Sequence, residues 1–250
     1  MNSPDSGSRN RILAVLSGAD RNLLTPFLGA VDLDARQILE TPYDPISHVY
    51  FVESGLVSVV GTNLPNHRIE VGMIGYEGMT GLAVVLGDDR SANETLVQSA
   101  GSAMRISSKA LRKVMGVSRS LTATLLRYVR VFMIQNSQTA LATGRSRLDE
   151  RLARWLLMSH DRTDGDELTI THEFLALLLG VRRQGVTVAL QMLERKNLIR
   201  SIRGQVHIRD RDGLQLAANG FYGIPEAEYD RAIRRSARGR AIQEAPPLAR

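Results

Sequence analysis

The stretch THEFLALLLGVRRQGVTVALQMLERKNLIRSIRGQVHIRD, residues 171 to 210, constrains the fold more tightly than any other part of the chain. A helical residue advances about 100° around the axis, so positions three and four apart share a face. By that spacing Phe174, Leu175, Leu178 and Leu179 form an apolar face, opened by Thr171 as N-cap with Glu173 in the first turn, and stopped by Gly180. Val186, Ala189, Leu190 and Leu193 form a second face, with Gln184, Thr187 and Gln191 opposite. The spacing predicts two helices with about three residues between them around a glycine, as in a helix-turn-helix, rather than one kinked helix. The segment after them reads as two short strands, Leu198 to Ile202 and Gln205 to Arg209, turning at Arg203-Gly204. A helix-turn-helix followed by a small hairpin is a winged helix.

In such a motif the second helix lies in the major groove of duplex DNA and reads base edges from its N-terminal half. Arg183 can present its fork to guanine, Gln184 or Gln191 can pair with adenine, and Thr187 can approach a thymine methyl. Arg182, Arg200 and Arg203 are placed to meet phosphate. The same two helices also fit an ordinary surface hairpin, and charge separates the readings. Residues 182 to 209 hold seven basic side chains against one acid, Glu194, a local excess equal to the whole chain's net +6. A cluster of that kind displaces counterions from a row of phosphates. Residues 1 to 143 are nearly balanced, with 13 basic and 12 acidic side chains, whereas residues 144 to 250 carry 19 and 14. Two parts with different tasks are expected.

At 250 residues, 43% hydrophobic and 23% charged, the chain is expected to be soluble and globular, with one large or two ordinary domains. It has no run of 18 apolar residues, and MNSPDSGSRN lacks an apolar signal core, so a cytoplasmic protein without a membrane partner is expected. Cysteine is absent, which removes disulfides, iron-sulfur clusters, thiolate haem ligation and thiol redox sensing. Nor does the chain contain GxxxxGK[ST], HExxH or GxSxG. The pairs His160-Asp161 and His172-Glu173 fall in helical contexts where capping or surface exposure accounts for them. No enzyme is expected.

Between Ile38 and Ile106 the texture is β. SHVYFVESGLVSVVG predicts two strands broken at Ser54-Gly55, and ETLVQSAGSAMRI predicts two more broken near Gly101. Frequent glycines suit a small antiparallel roll with tight corners. Within it, GYEGMTGLAVVLGDDRSA offers the amides of Gly78 and Gly81, the guanidinium of Arg90 and the hydroxyl of Ser91 as a phosphate cradle, although glycines also serve corners alone. Next, SRSLTATLLRYVRVFMIQNSQTALATG predicts a long helix. Its Leu121, Leu125, Tyr128 and Phe132 recur every three or four residues, a seam for a partner helix or for the rest of the same subunit. RLDERLARWLLMSHD adds a helix turning Leu148, Leu152, Trp155 and Leu156 inward, and the tail beyond Ser236, with Pro246-Pro247, is expected to fray.

This order of parts resembles the Crp/Fnr transcription regulators over residues 12 to 214. The resemblance rests on YFVESGLVSVV, GYEGMTGLAVVLG, RLARWLLM and, most specifically, LLLGVRRQGVTVALQMLERKNLI. It implies an α+β chain: a cyclic-nucleotide-binding-like β-roll sensor at 12–116, a dimerisation helix at 117–143, a winged helix-turn-helix at 144–214, and a partly disordered extension at 215–250. The implied function is transcription regulation. A homodimer would bind an inverted repeat of double-stranded DNA, with RNA polymerase as second partner and the roll modulating DNA affinity. The resemblance marks Gly78, Gly81, Leu82, Arg90 and Ser91 as the effector pocket. Arg90 and Ser91 match the family's phosphate-binding pair, but Leu82 stands where nucleotide-binding members have the glutamate that holds the ribose, which favours a different small molecule over cyclic AMP. Arg183 matches the family's recognition arginine, while Gln184 and Val188 replace a glutamate and an arginine, so a different half-site is expected. The alternative is a ligand-binding signalling module whose basic winged helix docks on a protein or RNA.

Overall fold

A computed structural model describes residues 8–63 and 67–234. The chain opens with two short helices, α1 (Arg11–Ala14) and α2 (Gly18–Leu24), and enters a roll of β1 (Gly29–Leu33), β2 (Ile38–Glu40), β3 (His48–Thr62), β4 (Arg68–Ile74) and β5 (Glu94–Ser107), with α3 (Leu82–Val85) between β4 and β5. The sheet order is β1-β5-β3-β4, all antiparallel, and β2 also pairs with β5. Helix α4 (Ser108–Val117) leads into α5 (Arg119–Arg145), whose N-cap Ser118 accepts from the Leu121 amide.

The C-terminal unit holds α6 (Leu148–His160), β6 (Glu167–Thr169), α7 (His172–Leu179), α8 (Arg183–Arg195), β7 (Ile199–Ile202), β8 (Gln205–Ile208) and α9 (Arg211–Ala217). Then α10 (Ile224–Tyr229) and a π-helical turn (Asp230–Arg234) run back against α5. The α+β architecture agrees with the sequence reading, and so does the wing, where Gly204 adopts a positive φ of 79° between β7 and β8. A third wing strand, β6, pairs with β8. Of the predicted extension, residues up to 234 are mostly helix or turn, and the tail expected to fray beyond Ser236 lies outside the described residues.

Two sequence expectations are corrected. Neither Ser54-Gly55 nor Gly101 breaks a strand. β3 runs unbroken for 15 residues and β5 for 14, with bulges around Ser54 and Leu56. The two glycines face each other across the ladder, where a Cβ on Gly101 would stand 2.1 Å from the Ser54 carbonyl oxygen and one on Gly55 would stand 2.6 Å from that of Ser99. They let two backbones approach and bend together, which is what a bulge needs, without ending the pairing.

The second correction concerns the seam on α5. Leu121, Leu125, Tyr128 and Phe132 are 0–5% exposed, packed inside their own chain against the roll and the N-terminal helices. A four-three-four spacing shows that one face is apolar, not which chain covers it. Here the N-terminal helices, β3 and α4 take the Leu121–Tyr128 part of that face, and β4, at the edge of the sheet, takes the Phe132 end. The Gln135 side chain accepts from the Met73 amide at 2.6 Å and donates to its carbonyl at 3.1 Å, completing the strand edge as a neighbouring strand would.

The roll and the C-terminal unit share buried contacts. Leu56 and Met73 of the roll belong to the same apolar cluster as Leu152, Trp155, Leu156, Leu178 and Leu190. At the junction Trp155 donates its indole N–H to buried Glu70 at 2.9 Å. Burial pushes the Glu70 carboxyl up to about 7. The hydrogen bonds agree with a protonated acid: the single hydroxyl proton of Ser58 faces both Glu70 Oε2 at 2.6 Å and Gln98 Oε1 at 3.0 Å, and a proton on Glu70 satisfies the second contact.

Candidate nucleic-acid interface

Each helix of the α7–α8 pair forms for a local reason. The Thr171 hydroxyl accepts from the Phe174 amide, and Gly180 closes α7 with a positive φ of 62°. The inward face of α8 is that of the sequence reading: Val186, Ala189, Leu190 and Leu193 are all at most 2% exposed. Helix α7 and the turn after it lean on the roll, where a Cβ on Gly180 would lie 3.0 Å from Ile69. That seating leaves α8 facing outward.

Arg182, Arg183, Gln184 and Gln191 are exposed, as are Arg200 and Arg203 on the wing. None of the four arginines pairs with a described carboxylate, unlike Arg162 and Arg211, which are bound to Glu77 and Asp161. Their charge is therefore uncompensated within the described residues. Helix α8 has no side-chain cap at its N-cap Arg182, and although the Gly185 amide bonds the Arg182 carbonyl at 2.9 Å, the amides of Arg183 and Gln184 are left for an anion.

Thr187 differs from expectation. Its hydroxyl is partly buried and bonds to His172 Nδ1 and the Arg183 carbonyl, both at 3.2 Å, which turns it toward α7 rather than outward. The outward methyls belong instead to Val188, 54% exposed, which shares a stripe with Gln184, Gln191 and Arg195. Sequence reasoning missed it as a contact; a valine on the polar side of an amphipathic helix was the available signal.

Residues 150–217, from within α6 through α9, match the family profile described as the Crp-like helix-turn-helix domain. This part of the chain is a Crp-like helix-turn-helix domain. No curated protein matches the chain by sequence. Among solved structures, FixK2 from Bradyrhizobium japonicum is 18% identical with a TM-score of 0.66, over 76% of this chain and 96% of its own. A Crp/Fnr-family transcriptional regulator from Thermus thermophilus is 20% identical with a TM-score of 0.63, over 77% and 99%. CLP from Xanthomonas campestris, titled a c-di-GMP responsive global regulator, is 18% identical with a TM-score of 0.60, over 77% and 99%. At these identities the likeness is one of fold, and it extends from the Crp-like domain across the roll. Among the described residues no helix is long and apolar enough to cross a membrane.

The pocket that the sequence assigned to the roll forms only in part. Gly81, Leu82 and Ser91 line a cavity of about 170 Å³ with Glu40, Thr80, Thr95, Phe132, Met133 and Asn136. Gly78 is not in it: the residue lies under the Tyr128 ring, where a Cβ would meet the hydroxyl at 2.0 Å. Arg90 is also elsewhere, half exposed, with its guanidinium donating to the Tyr43 carbonyl and lying 3.6 Å from Asp89. The residue that sequence reasoning did not find is Glu40. Its buried carboxylate accepts from the Gly81 amide at 2.6 Å and from Thr95 Oγ1 at 3.1 Å, and burial raises its pKa. The amide that a phosphate would need is thus already taken by a carboxylate. No local signal marks Glu40, because its burial arises from pairing β2 with β5.

Proposed function

We propose that the chain is a sequence-specific DNA-binding transcription regulator of the Crp/Fnr type, acting in the cytoplasm as a homodimer with RNA polymerase as second partner. The observation that carries the reading is the outward face of α8, with Arg183, Gln184, Val188 and Gln191 presented beside arginines that pair with no carboxylate among the described residues. Arg183 is assigned to a guanine edge and Gln184 or Gln191 to adenine. The methyls of Val188 go to thymine, and Arg182, Arg200, Arg203 and the first amides of α8 go to phosphate. Docking on RNA fits less well, because an α8-sized helix enters the DNA major groove whereas that of A-form RNA is deep and narrow.

The homodimer is assigned to the opposite side of α5 from the buried seam. Leu126, Met133 and Leu141 are 42%, 61% and 47% exposed, and Ser137 and Ala140 lie between them at heptad spacing. A second copy of the same helix covers such a stripe, and a two-fold pair presents two α8 helices to two half-sites. Met133→Glu is expected to sediment as a monomer at concentrations where the wild type is dimeric. Sedimentation of the variant as a dimer sinks the assignment.

Selection from a random duplex library at one physiological salt concentration tests the function. Wild type should enrich an inverted repeat with half-sites about one helical turn apart. Arg183→Ala should bind it roughly tenfold to a hundredfold more weakly and relax one symmetric base position. Equal binding of every sequence, falling only with salt, would reject sequence-specific recognition.

The roll is assigned the sensing role. A ligand in the Glu40 cavity would touch Phe132, Met133 and Asn136 of α5 and so bias the helix that sets the spacing of the two α8 helices. Glu40 holding the Gly81 amide disfavours a cyclic nucleotide bound through its phosphate as the effector of that cavity.

A further inference from the structure

A second cavity, of about 330 Å³, shares Phe132 as a wall with the Glu40 cavity. Its walls come from Arg11 of α1, Tyr76 and Glu77 after β4, the middle of α5, Asp161 and Arg162 at the end of α6, Tyr222, and Pro225, Glu226 and Tyr229 of α10. The volume is on the scale of small-ligand sites. Helix α10 closes it, and α10 lies beyond the part of the chain that matches the Crp-like profile.

Its charges are unevenly satisfied. The Arg162 guanidinium is held by Glu77 Oε1 at 2.7 Å and the Met158 carbonyl at 2.7 Å. Asp161 is held by Arg211 and by the Tyr222 hydroxyl at 2.7 Å. Arg11 donates to the Tyr76 hydroxyl at 2.9 Å, its guanidinium carbon 4.7 Å from that ring's centroid. What remains is a set of acceptors. Glu77 Oε2, Glu226 Oε1 and the Tyr128 hydroxyl are buried and have no hydrogen-bond partner among the described residues. Tyr128 is 3% exposed, and its hydroxyl approaches the Met79 backbone without a well-formed hydrogen bond. Native interiors rarely leave several polar atoms unpaired around one space.

We infer that this cavity binds a small organic cation, a primary amine on a short aromatic or apolar body. An ammonium carries three N–H donors and no acceptor, complementary to two carboxylate oxygens and a hydroxyl. Tyr76, Tyr222 and Phe132 line the same space; with Arg9 and Arg11 over Tyr76 and Arg211 over Tyr222, the rings serve the apolar body of the ligand and the oxygen acceptors serve its cation. The lining carries four carboxylates, on Glu77, Asp161, Glu226 and Asp230, against the two guanidiniums of Arg11 and Arg162, so an anionic ligand is disfavoured. Because the walls come from the roll, α5, α6 and α10 together, an occupant ties the C-terminal extension to both halves of the chain.

Calorimetric titration of the full chain with tyramine, and with its neutral relative 4-ethylphenol, tests the inference. Tyramine is expected to bind once per chain, and 4-ethylphenol at least about tenfold more weakly, as loss of a charge-assisted contact requires. Glu226→Gln keeps an acceptor for the Gly223 amide, which Glu226 Oε2 now holds at 3.1 Å, and should weaken tyramine by a similar factor. Absence of tyramine binding, equal binding of the two probes, or an unchanged affinity in a folded Glu226→Gln protein each overturns the proposal. The comparison of probes needs no variant, so it decides the matter even if Glu226→Gln fails to fold. Arg183→Ala leaves this cavity intact and should bind tyramine as the wild type does, which keeps the result separate from DNA recognition.

Discussion

Gly101→Ala is expected to destabilise the protein by about 3 kcal/mol, at the upper end for an overpacking substitution. The added Cβ would stand 2.1 Å from the Ser54 carbonyl oxygen and 2.6 Å from the Gly55 nitrogen. Both are backbone atoms of β3, which have no rotamer to move into. The only relief is to part the β3–β5 ladder, which spans most of the roll. Gly116→Ala supplies the opposite sign. Gly116 lies in α4 with nothing within 4 Å of its added Cβ, so alanine should gain up to about 1 kcal/mol through helix propensity and a less flexible unfolded chain. Urea midpoints of the two variants against wild type measure both effects. A Gly101→Ala midpoint at or above that of wild type would remove the close-approach account of the bulge.

The second large effect is a dependence of stability on pH carried by Glu70. In the folded chain burial pushes this carboxyl up to about 7, from an ordinary value of 4.5. Between those values the folded state holds a proton that the unfolded state has released, so stability falls as pH rises through the window and levels off above it. The difference corresponds to about 3 kcal/mol. Glu70→Gln keeps the shape and the acceptor for Trp155, and it should flatten the curve between pH 5 and 8. Glu40 and Glu226 are raised by burial as well and contribute slopes of the same sign, so the quantity to compare is wild type minus variant. If the two proteins lose stability in parallel across that range, Glu70 is not the titrating group.

Glu70 also shows why some of the site was beyond the sequence. A glutamate between Ile69 and Val71 in a strand reads as an outward, solvated residue. It is buried because Trp155, 85 residues later, lies across it. The same applies to Glu40, whose partner Gly81 is 41 residues away, and to the cavity closed by α10. Arg90 fails in the other direction: its place in the sequence fits a phosphate cradle, but its loop folds it onto Tyr43.

What the sequence by itself determined was everything with a local cause. The caps at Thr171 and Gly180, the 3.6-residue period of α8, the turn at Gly204 and the basic excess of residues 182 to 209 depend on neighbours within a few positions, so they are written in order along the chain. Tertiary structure alone decided which surface each apolar or polar face meets. It gave Leu121, Leu125, Tyr128 and Phe132 to the roll rather than to a second copy, left Leu126, Met133 and Leu141 outside, turned Thr187 inward and Val188 outward, and joined the glycines at 55 and 101 into one bulge. The physical reason is that periodicity fixes the angle between faces of one element, whereas burial is a property of pairs of elements, and the pairing is set by contacts tens of residues apart.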